Sequence, residues 1–493
     1  MDNVVLAGLI QVFTLENFIS MNVGLAAGII MGALPGLTAT MGVAVLMPLT
    51  YGMDPTAGIL LLLGVYCGGT YGGSITAILI RTPGTPASAA TVLDGHPLAQ
   101  MGQAGKALDM AIKASTIGGL ISAFMLLFLA PQIAKLALMF GPHEMFTLAL
   151  FGLTIIAAIC SKDLMKGLSM AALGIFVSCI GIDSIMGVPR FTFGNMYMEG
   201  GIELIPALIG LFAFSELLNK VRDINVPIGE VSKLQGDKLT GRELMSCMKT
   251  IVKSSLIGTL IGAIPGTGAA IASFLSYQEA RRSAKHPEEF GHGSIEGVSA
   301  SEAGNNGVTG ATLIPLLTLG VPGDAVTAVL LGALTMQGLV PGPMLFTTHG
   351  QTIYSIIFGL LIVNIFMFLQ AKVFIKPFSQ VTKIPVNTLI PLLLIVSVTG
   401  VYATNNAIFD VWAALVMGVI GYFLLQADYP PTPLLLSLIL GPMAEKSLRQ
   451  ALQLTDVTAF FTRPICIFFI VLSVASVVFS LKRNQTAKDL VEG

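Results

Sequence analysis

Charge is what this sequence has least of. Of its 493 residues only 11% are Asp, Glu, Lys or Arg, against about 25% in soluble globular chains. So little solvating surface excludes a water-soluble enzyme, a nucleic-acid binder and a disordered scaffold together. The 26 basic and 27 acidic residues leave a net charge of −1, which offers no field to nucleic acid. Cysteine is scarce as well. Cys67, Cys160, Cys179, Cys247 and Cys466 are widely spaced, odd in number and form no C-x-x-C pair, which argues against a disulfide framework or a thiolate metal site. Their default role is small apolar packing. No Lys or Arg precedes Arg81, so the basic segment of a secretory signal is missing and the N-terminus is expected outside the cell interior.

Catalytic signatures are missing too. Gly102-Gln-Ala-Gly-Lys-Ala107 has neither the spacing nor the Ser/Thr of a phosphate loop. His143-Glu144 is followed by Met-Phe-Thr, so the metalloprotease motif H-E-x-x-H is not completed. Ser74, after Gly72-Gly73, has no histidine near it. The histidines His96, His143, His286, His292 and His349 are scattered. No enzymatic activity and no cofactor beyond a coupling ion are expected.

Hydrophobic residues supply 54% of the chain, and the mean hydropathy is +0.83. Windows of about 20 apolar residues, enough to span a bilayer, recur from residue 18 to residue 480. An all-α polytopic membrane protein of about 11–13 membrane segments is expected. Basic clusters fall at Arg81/Lys106/Lys113, Lys162/Lys166, Lys220 to Lys253, Arg281/Arg282/Lys285, Lys372/Lys376/Lys383 and Lys482/Arg483. Counting spans between them places all of these in the cytoplasm, and the C-terminal tail with them. One interval breaks the parity, because 251–278 is a single apolar window with basic residues on both flanks. It is expected to enter, turn at Pro265-Gly266 and leave on the same side.

An internal repeat organises the chain. Gly28-Ile-Ile-Met-Gly-Ala-Leu-Pro-Gly-Leu-Thr-Ala-Thr40 aligns without gaps on Gly258-Thr-Leu-Ile-Gly-Ala-Ile-Pro-Gly-Thr-Gly-Ala-Ala270, with six identities in the pattern G-x-x-x-G-A-x-P-G. Each half has a second Pro-Gly break, in Arg81-Thr-Pro-Gly-Thr-Pro86 and in Gly320-Val-Pro-Gly-Asp324. The division expected is a first membrane repeat over 1–218, a polar cytoplasmic linker over 219–250, a second repeat with additional helices over 251–480, and a tail over 481–493. The halves are expected to have inverted topology, with re-entrant or broken helices at the Pro-Gly motifs. A lone G-x-x-x-G is ordinarily a helix-packing face. Helix breaks at matching positions of two halves point instead to a transporter's substrate site. Broken helices present N–H groups that suit a carboxylate, and carbonyls that suit Na⁺.

The duplicated motif, the run Leu79-Ile-Arg-Thr-Pro-Gly-Thr-Pro-Ala-Ser-Ala-Ala90 with Asp94-Gly95, and Glu302-Ala-Gly-Asn-Asn-Gly307 together resemble the large membrane subunit of the tripartite tricarboxylate transporters. The resemblance covers essentially the whole chain. It implies a secondary transporter of the bacterial inner membrane. Its partners would be a small membrane subunit of about four helices and a periplasmic solute-binding protein. The implied cargo is citrate or related di- and tricarboxylates, taken up by Na⁺ symport. A channel with re-entrant pore loops is the alternative.

The substrate-site candidates cluster on the four breaks: Pro35, Gly36, Thr38, Ser74, Thr76, Arg81, Thr82, Gly84 and Thr85 in the first half. In the second they are Pro265, Gly266, Thr267, Gly268, Asn305, Asn306, Thr309 and Gly323. Neutral hydroxyls and amides orient carboxylates and ligate Na⁺ without burying a charge. For Na⁺ the candidates are Asp324, Asn305 and Asn306. Asp324 has a second role open to it, as N-cap of the helix after the break. For Arg81 the cytoplasmic anchor is the favoured reading over contact with a substrate carboxylate, and Asp410 could start a helix rather than serve inside the bilayer.

Overall fold

The computed structural model describes residues 2–160, 163–183, 185–222, 238–382 and 386–492. Lys162, Lys383 and the stretch 223–237 of the expected linker lie outside the described residues. The chain is almost wholly helical. Among the described residues, strands are confined to an antiparallel pair of dipeptides, Gly181–Ile182 with Pro189–Arg190. Seven described helices are long and apolar enough to cross a membrane, and six shorter apolar helices of 10–17 residues accompany them. This is the all-α polytopic membrane protein that the hydropathy requires.

Two compact units emerge, one of residues 1–134 with 219–400, the other of residues 135–218 with 401–493. Each half of the sequence is thus shared between both units. The first unit receives both sets of Pro-Gly breaks.

In that unit the first half supplies α1 (Leu15–Gly32), α2 (Ala39–Leu46), α3 (Pro55–Ile80), α4 (Ala89–Gln100) and α5 (Ala104–Ala137). The second supplies α6 (Gly241–Gly262), α7 (Gly268–Ser283), α8 (Ile295–Asn306), α9 (Leu313–Leu319), α10 (Ala325–Met336) and α11 (Gly350–Val381). Helix α3 begins on an N-cap, with Asp54 accepting from the Thr56 and Ala57 amides at 2.9 and 3.3 Å and Pro55 opening the first turn. It runs 26 residues without a break, about 39 Å at 1.5 Å per residue.

Glycine sets how the helices pair. Gly24, Gly28 and Gly32 of α1 lie against the backbone of Leu61, Val65 and Gly69 of α3, where any Cβ would collide. Both series climb in steps of four, so α1 and α3 are parallel and α2 between them must run back. Gly258 and Gly262 of α6 likewise meet Gly304 and Val308, so α6 and α8 are parallel and α7 returns. The G-x-x-x-G stretch is therefore a packing face, where close backbone approach gains dispersion contacts. The Pro-Gly that follows it is the turn of a helical hairpin. Gly36 and Gly266 take φ of 77° and 83° there, a left-handed conformation that favours glycine.

The ends of the second hairpin are fastened together. Lys253 of α6 reaches Glu279 of α7 at 2.5 Å, and Arg282 holds the same carboxylate at 2.7 Å. The two flanks of the 251–278 window therefore lie side by side, as a segment that enters and returns demands.

In the second unit, Pro431–Leu454 packs along Pro142–Cys160 and Leu164–Ser178. A charge network pins the loop after residue 178 to it. Arg190 clasps the Glu445 carboxylate at 2.8 and 3.2 Å, and Arg449 bonds Asp183 at 2.9 Å and Glu445 at 2.7 Å. Asp183 also accepts the Met186 and Ile185 amides at 3.0 and 2.8 Å. Those amides, with Arg449, hold its carboxyl down to about 2. Asp410 lies in the first turn of Ile408–Gln426 and accepts from Asn405 at 2.9 Å, which is the helix-start role.

Candidate functional site

The two halves of the first unit are matched at their second breaks as closely as at their hairpins. Helix α3 ends on Arg81 and α9 ends on Gly320, both left-handed, at φ of 59° and 71°. Pro83-Gly84 and Pro322-Gly323 follow. Next come two N-caps with reciprocal capping boxes, Thr85 with Ser88 and Asp324 with Thr327. The pairing box satisfies N–H groups that the break leaves without a helical partner.

The four breaks converge. A cavity of about 180 Å³ is walled by Thr38-Ala39-Thr40, Thr85-Pro86-Ala87, Gly268-Ala269-Ala270 and Asp324-Ala325-Val326, with Tyr66 and Thr70 from the middle of α3. Each triplet begins one or two residues after a Pro-Gly, at the N-terminal end of a helix or, for Thr85-Pro86-Ala87, of the 3-10 turn that leads into α4. Four helix starts therefore face one space. Each contributes partial positive charge worth roughly 0.3–1 kcal/mol toward an anion when solvated, more when partly buried.

Asp324 gives the cavity a negative point. One of its oxygens accepts from the Thr327 amide at 2.8 Å and the Thr327 hydroxyl at 2.7 Å. The other accepts from the Tyr66 hydroxyl at 2.8 Å, and Tyr66 also lies 3.2 Å from Thr312 Oγ1. Asp324 is thus an N-cap and a cavity wall at once. The two hairpin tips of the second half are joined directly, with the Gly266 amide donating to the Gly323 carbonyl at 2.7 Å.

Of the residues singled out in the sequence, Thr38, Thr85, Gly268 and Asp324 meet at the cavity. Pro35, Gly36, Gly84, Pro265, Gly266 and Gly323 shape the breaks behind it. Gly84 has no room for a side chain, since a Cβ would strike the Gly32 carbonyl. Thr267 turns its hydroxyl back onto the Ile261 and Ile264 carbonyls at 2.5 and 2.9 Å. Ser74 and Thr76 bond carbonyls of their own helix, Tyr71 at 2.7 Å and Gly73 at 3.1 Å. Thr82 reaches the Ile80 carbonyl at 3.4 Å, and Arg81 is exposed. None of these lines the cavity.

Asn305 and Asn306 are fully buried on α8. Asn305 donates to the Thr70 carbonyl at 3.4 Å and Asn306 to the Glu302 carbonyl at 3.2 Å, while both Oδ1 atoms have no hydrogen-bond partner. Thr309 bonds the Asn306 carbonyl at 2.8 Å. Among the described residues no three His, Cys, Asp or Glu side chains gather into a metal site. The oxygen atoms at the cavity and on α8 are hard donors of the kind alkali and alkaline-earth cations take.

Tyr66 and Thr70 were not legible as site residues. Their one signal is spacing, a tyrosine and a threonine at i and i+4 in the middle of the long helix, which puts both on one face.

Comparison with known proteins follows the same lines. A family model described as the tripartite tricarboxylate transporter TctA family matches residues 18–436. A protein of Agrobacterium vitis described as an uncharacterized 52.8 kDa protein in the TAR-I ttuC' 3' region is 34% identical over 475 residues, 95% of each chain. A second from the same organism, described as an uncharacterized protein in the TAR-II ttuC' 3' region, is 38% identical over 233 residues. That match covers 47% of this chain and 96% of the relative. No solved structure matches.

Proposed function

The chain belongs to the tripartite tricarboxylate transporter TctA family, and from that premise we propose that it takes up carboxylates by Na⁺ symport. In this reading it is the large subunit of a binding-protein-dependent secondary transporter in the bacterial inner membrane, and not an enzyme. A periplasmic solute-binding protein delivers citrate or a related di- or tricarboxylate, and a small membrane subunit of about four helices completes the assembly. The C-terminus is cytoplasmic and the N-terminus periplasmic.

The observation that carries this is the convergence of four post-Pro-Gly helix starts on one cavity. A carboxylate held there is met by backbone N–H groups rather than by Lys or Arg. Asp324 makes a cation necessary. Two like charges about 6 Å apart repel by roughly 3 kcal/mol at an effective dielectric of 20, comparable with what the helix ends return. Na⁺ beside Asp324, or at the free Oδ1 atoms of Asn305 and Asn306, would remove that opposition. Movement of one bundle against the other around the site gives alternating access.

The test is uptake of radiolabelled citrate, and of related carboxylates, by proteoliposomes holding all three components. Saturable accumulation that follows an imposed Na⁺ gradient supports the reading. Passive conductance without accumulation would make the protein a channel.

A further inference from the structure

A second acidic centre lies on α8, about one helical turn before Asn305. Glu302 of α8 is completely buried. Its Oε1 accepts from Thr91 of α4 at 2.5 Å and its Oε2 from Ser115 of α5 at 2.8 Å. Among the described residues no Lys, Arg or His pairs with it. Several charged groups on the surrounding helices have partners of their own, Lys106 of α5 with Glu243 of α6 and Glu296 of α8 with Thr250 among them. Asp94 of α4 takes the amides of Gly291, Gly293 and Ser294, Asp109 of α5 pairs with Lys113, and Lys253 of α6 pairs with Glu279 of α7. From α3, the buried Tyr71 hydroxyl has no hydrogen-bond partner.

An acid inside a membrane protein without a counter-ion is a costly feature that packing alone does not call for. Three further observations give it a role. The hydroxyls of Thr91 and Ser115 can each donate or accept, so they hold a carboxylate and a neutral acid equally well without moving a heavy atom. Each carboxylate oxygen has a single partner, enough for a proton and too few for the oxygen shell of a metal cation. Finally, Asn305 lies three residues on along α8 and bonds the Thr70 carbonyl, and Thr70 walls the cavity.

We propose that Glu302 is a proton-binding site of the transport cycle, coupled to the cavity through Asn305 and Thr70. Its carboxylate takes a proton from water on the outer side and the neutral acid returns it to water on the inner side, with Thr91 and Ser115 serving both forms. Because the site is closed on all sides here, proton exchange requires α8 to part from α4 and α5, and this ties protonation to conformation. The proposal rests on the transporter reading but not on the assignment of Na⁺.

The experiment uses proteoliposomes with all three components and compares wild type, E302Q and E302D. Two activities are measured, accumulation driven by an acid-outside pH gradient and carboxylate–carboxylate exchange without one. Wild type should accumulate several-fold more with the gradient. E302Q should lose that stimulation and keep exchange, whereas E302D should keep both with a displaced pH midpoint. An infrared titration of the purified protein should show a protonated-carboxyl band that E302Q lacks and E302D shifts. E302Q that still responds to the pH gradient overturns the proposal. So does loss of Na⁺-driven uptake alone, which would make the ligand Na⁺, or loss of exchange in protein that remains monodisperse. If E302Q does not fold, an infrared band unmoved in E302D overturns it. Absence of any carboxylate uptake in wild type would instead remove the proposed function, and the infrared band would still decide Glu302.

Discussion

The Tyr66 hydroxyl donates to the Asp324 carboxylate at 2.8 Å across 258 residues of chain. It fastens the middle of the first repeat's long helix to the second repeat's last break. A charge-assisted bond of this kind is worth about 1.5–3 kcal/mol, and it fixes which way the carboxylate faces in the cavity. Removing the hydroxyl with Tyr66→Phe should leave expression and membrane insertion unchanged. The apparent affinity for the carboxylate or for Na⁺ should fall roughly ten-fold, the equivalent of about 1.4 kcal/mol. A wild-type concentration dependence for both ligands would remove Tyr66 from the site.

Gly266 stands at φ 83°, and its amide reaches Gly323 at 2.7 Å. A side chain at that φ costs about 1–2 kcal/mol and disturbs both breaks of the second half together. Gly266→Val should abolish uptake, as should the equivalent change at Gly36, while the protein still inserts. Uptake assays beside quantitative membrane blots decide it. Uptake within two-fold of wild type would mean that the hairpin tips are not part of the working site.

If Na⁺ offsets the charge that Asp324 and the substrate place in one cavity, neither ligand is held well alone. Binding must then be reciprocal. The factor by which saturating Na⁺ raises carboxylate affinity should equal the factor by which saturating carboxylate raises Na⁺ affinity. Calorimetric titrations in both orders measure the two factors. Equal carboxylate affinity with and without Na⁺ would contradict the coupling.

Asp183 carries a pH dependence of known sign. The Met186 and Ile185 amides and Arg449 depress its folded-state value to about 2, below the ordinary carboxylate value near ~3.9. The stability it contributes is therefore complete above that ordinary value and is lost as pH falls toward 2. Thermal unfolding in detergent should show a melting temperature that declines between about pH 4 and pH 2. Asp183→Asn should lower the melting temperature at pH 6 and flatten that decline. An identical acid slope in the variant would place the titration elsewhere.

Arg81 ends α3 at φ 59°, where its counterpart in the second repeat is Gly320. It is exposed and stands outside the cavity lining. Arg81→Gly should relieve backbone strain of about 1–2 kcal/mol, raise or preserve the melting temperature, and leave uptake intact. Loss of uptake at an unchanged melting temperature would give the guanidinium a direct part in substrate handling.

How far the sequence went is visible at particular residues. The scarcity of charge and the recurrence of apolar windows determined the bilayer environment, because composition alone decides how much surface water can solvate. The duplicated Pro-Gly motifs determined where helices must break, because proline lacks the N–H and glycine alone accepts the left-handed turn without strain. Thr38, Thr85, Gly268 and Asp324, which line the cavity, each follow one of those breaks by one or two residues. Spatial convergence was not determined by those local rules. Ser74 and Thr76 look like Thr38 and Thr85 in sequence, yet their hydroxyls are satisfied by carbonyls of their own helix. Tyr66 and Thr70 became cavity walls because glycine contacts draw α1 against one side of α3 and leave another facing the breaks. Glu302 is the sharpest case. The sequence placed it in a recognisable motif, and only the packing of α4 and α5 around α8 closed it off from water. With charge so sparse along the chain, tertiary structure decided which of the few acids stand where their charge must be answered.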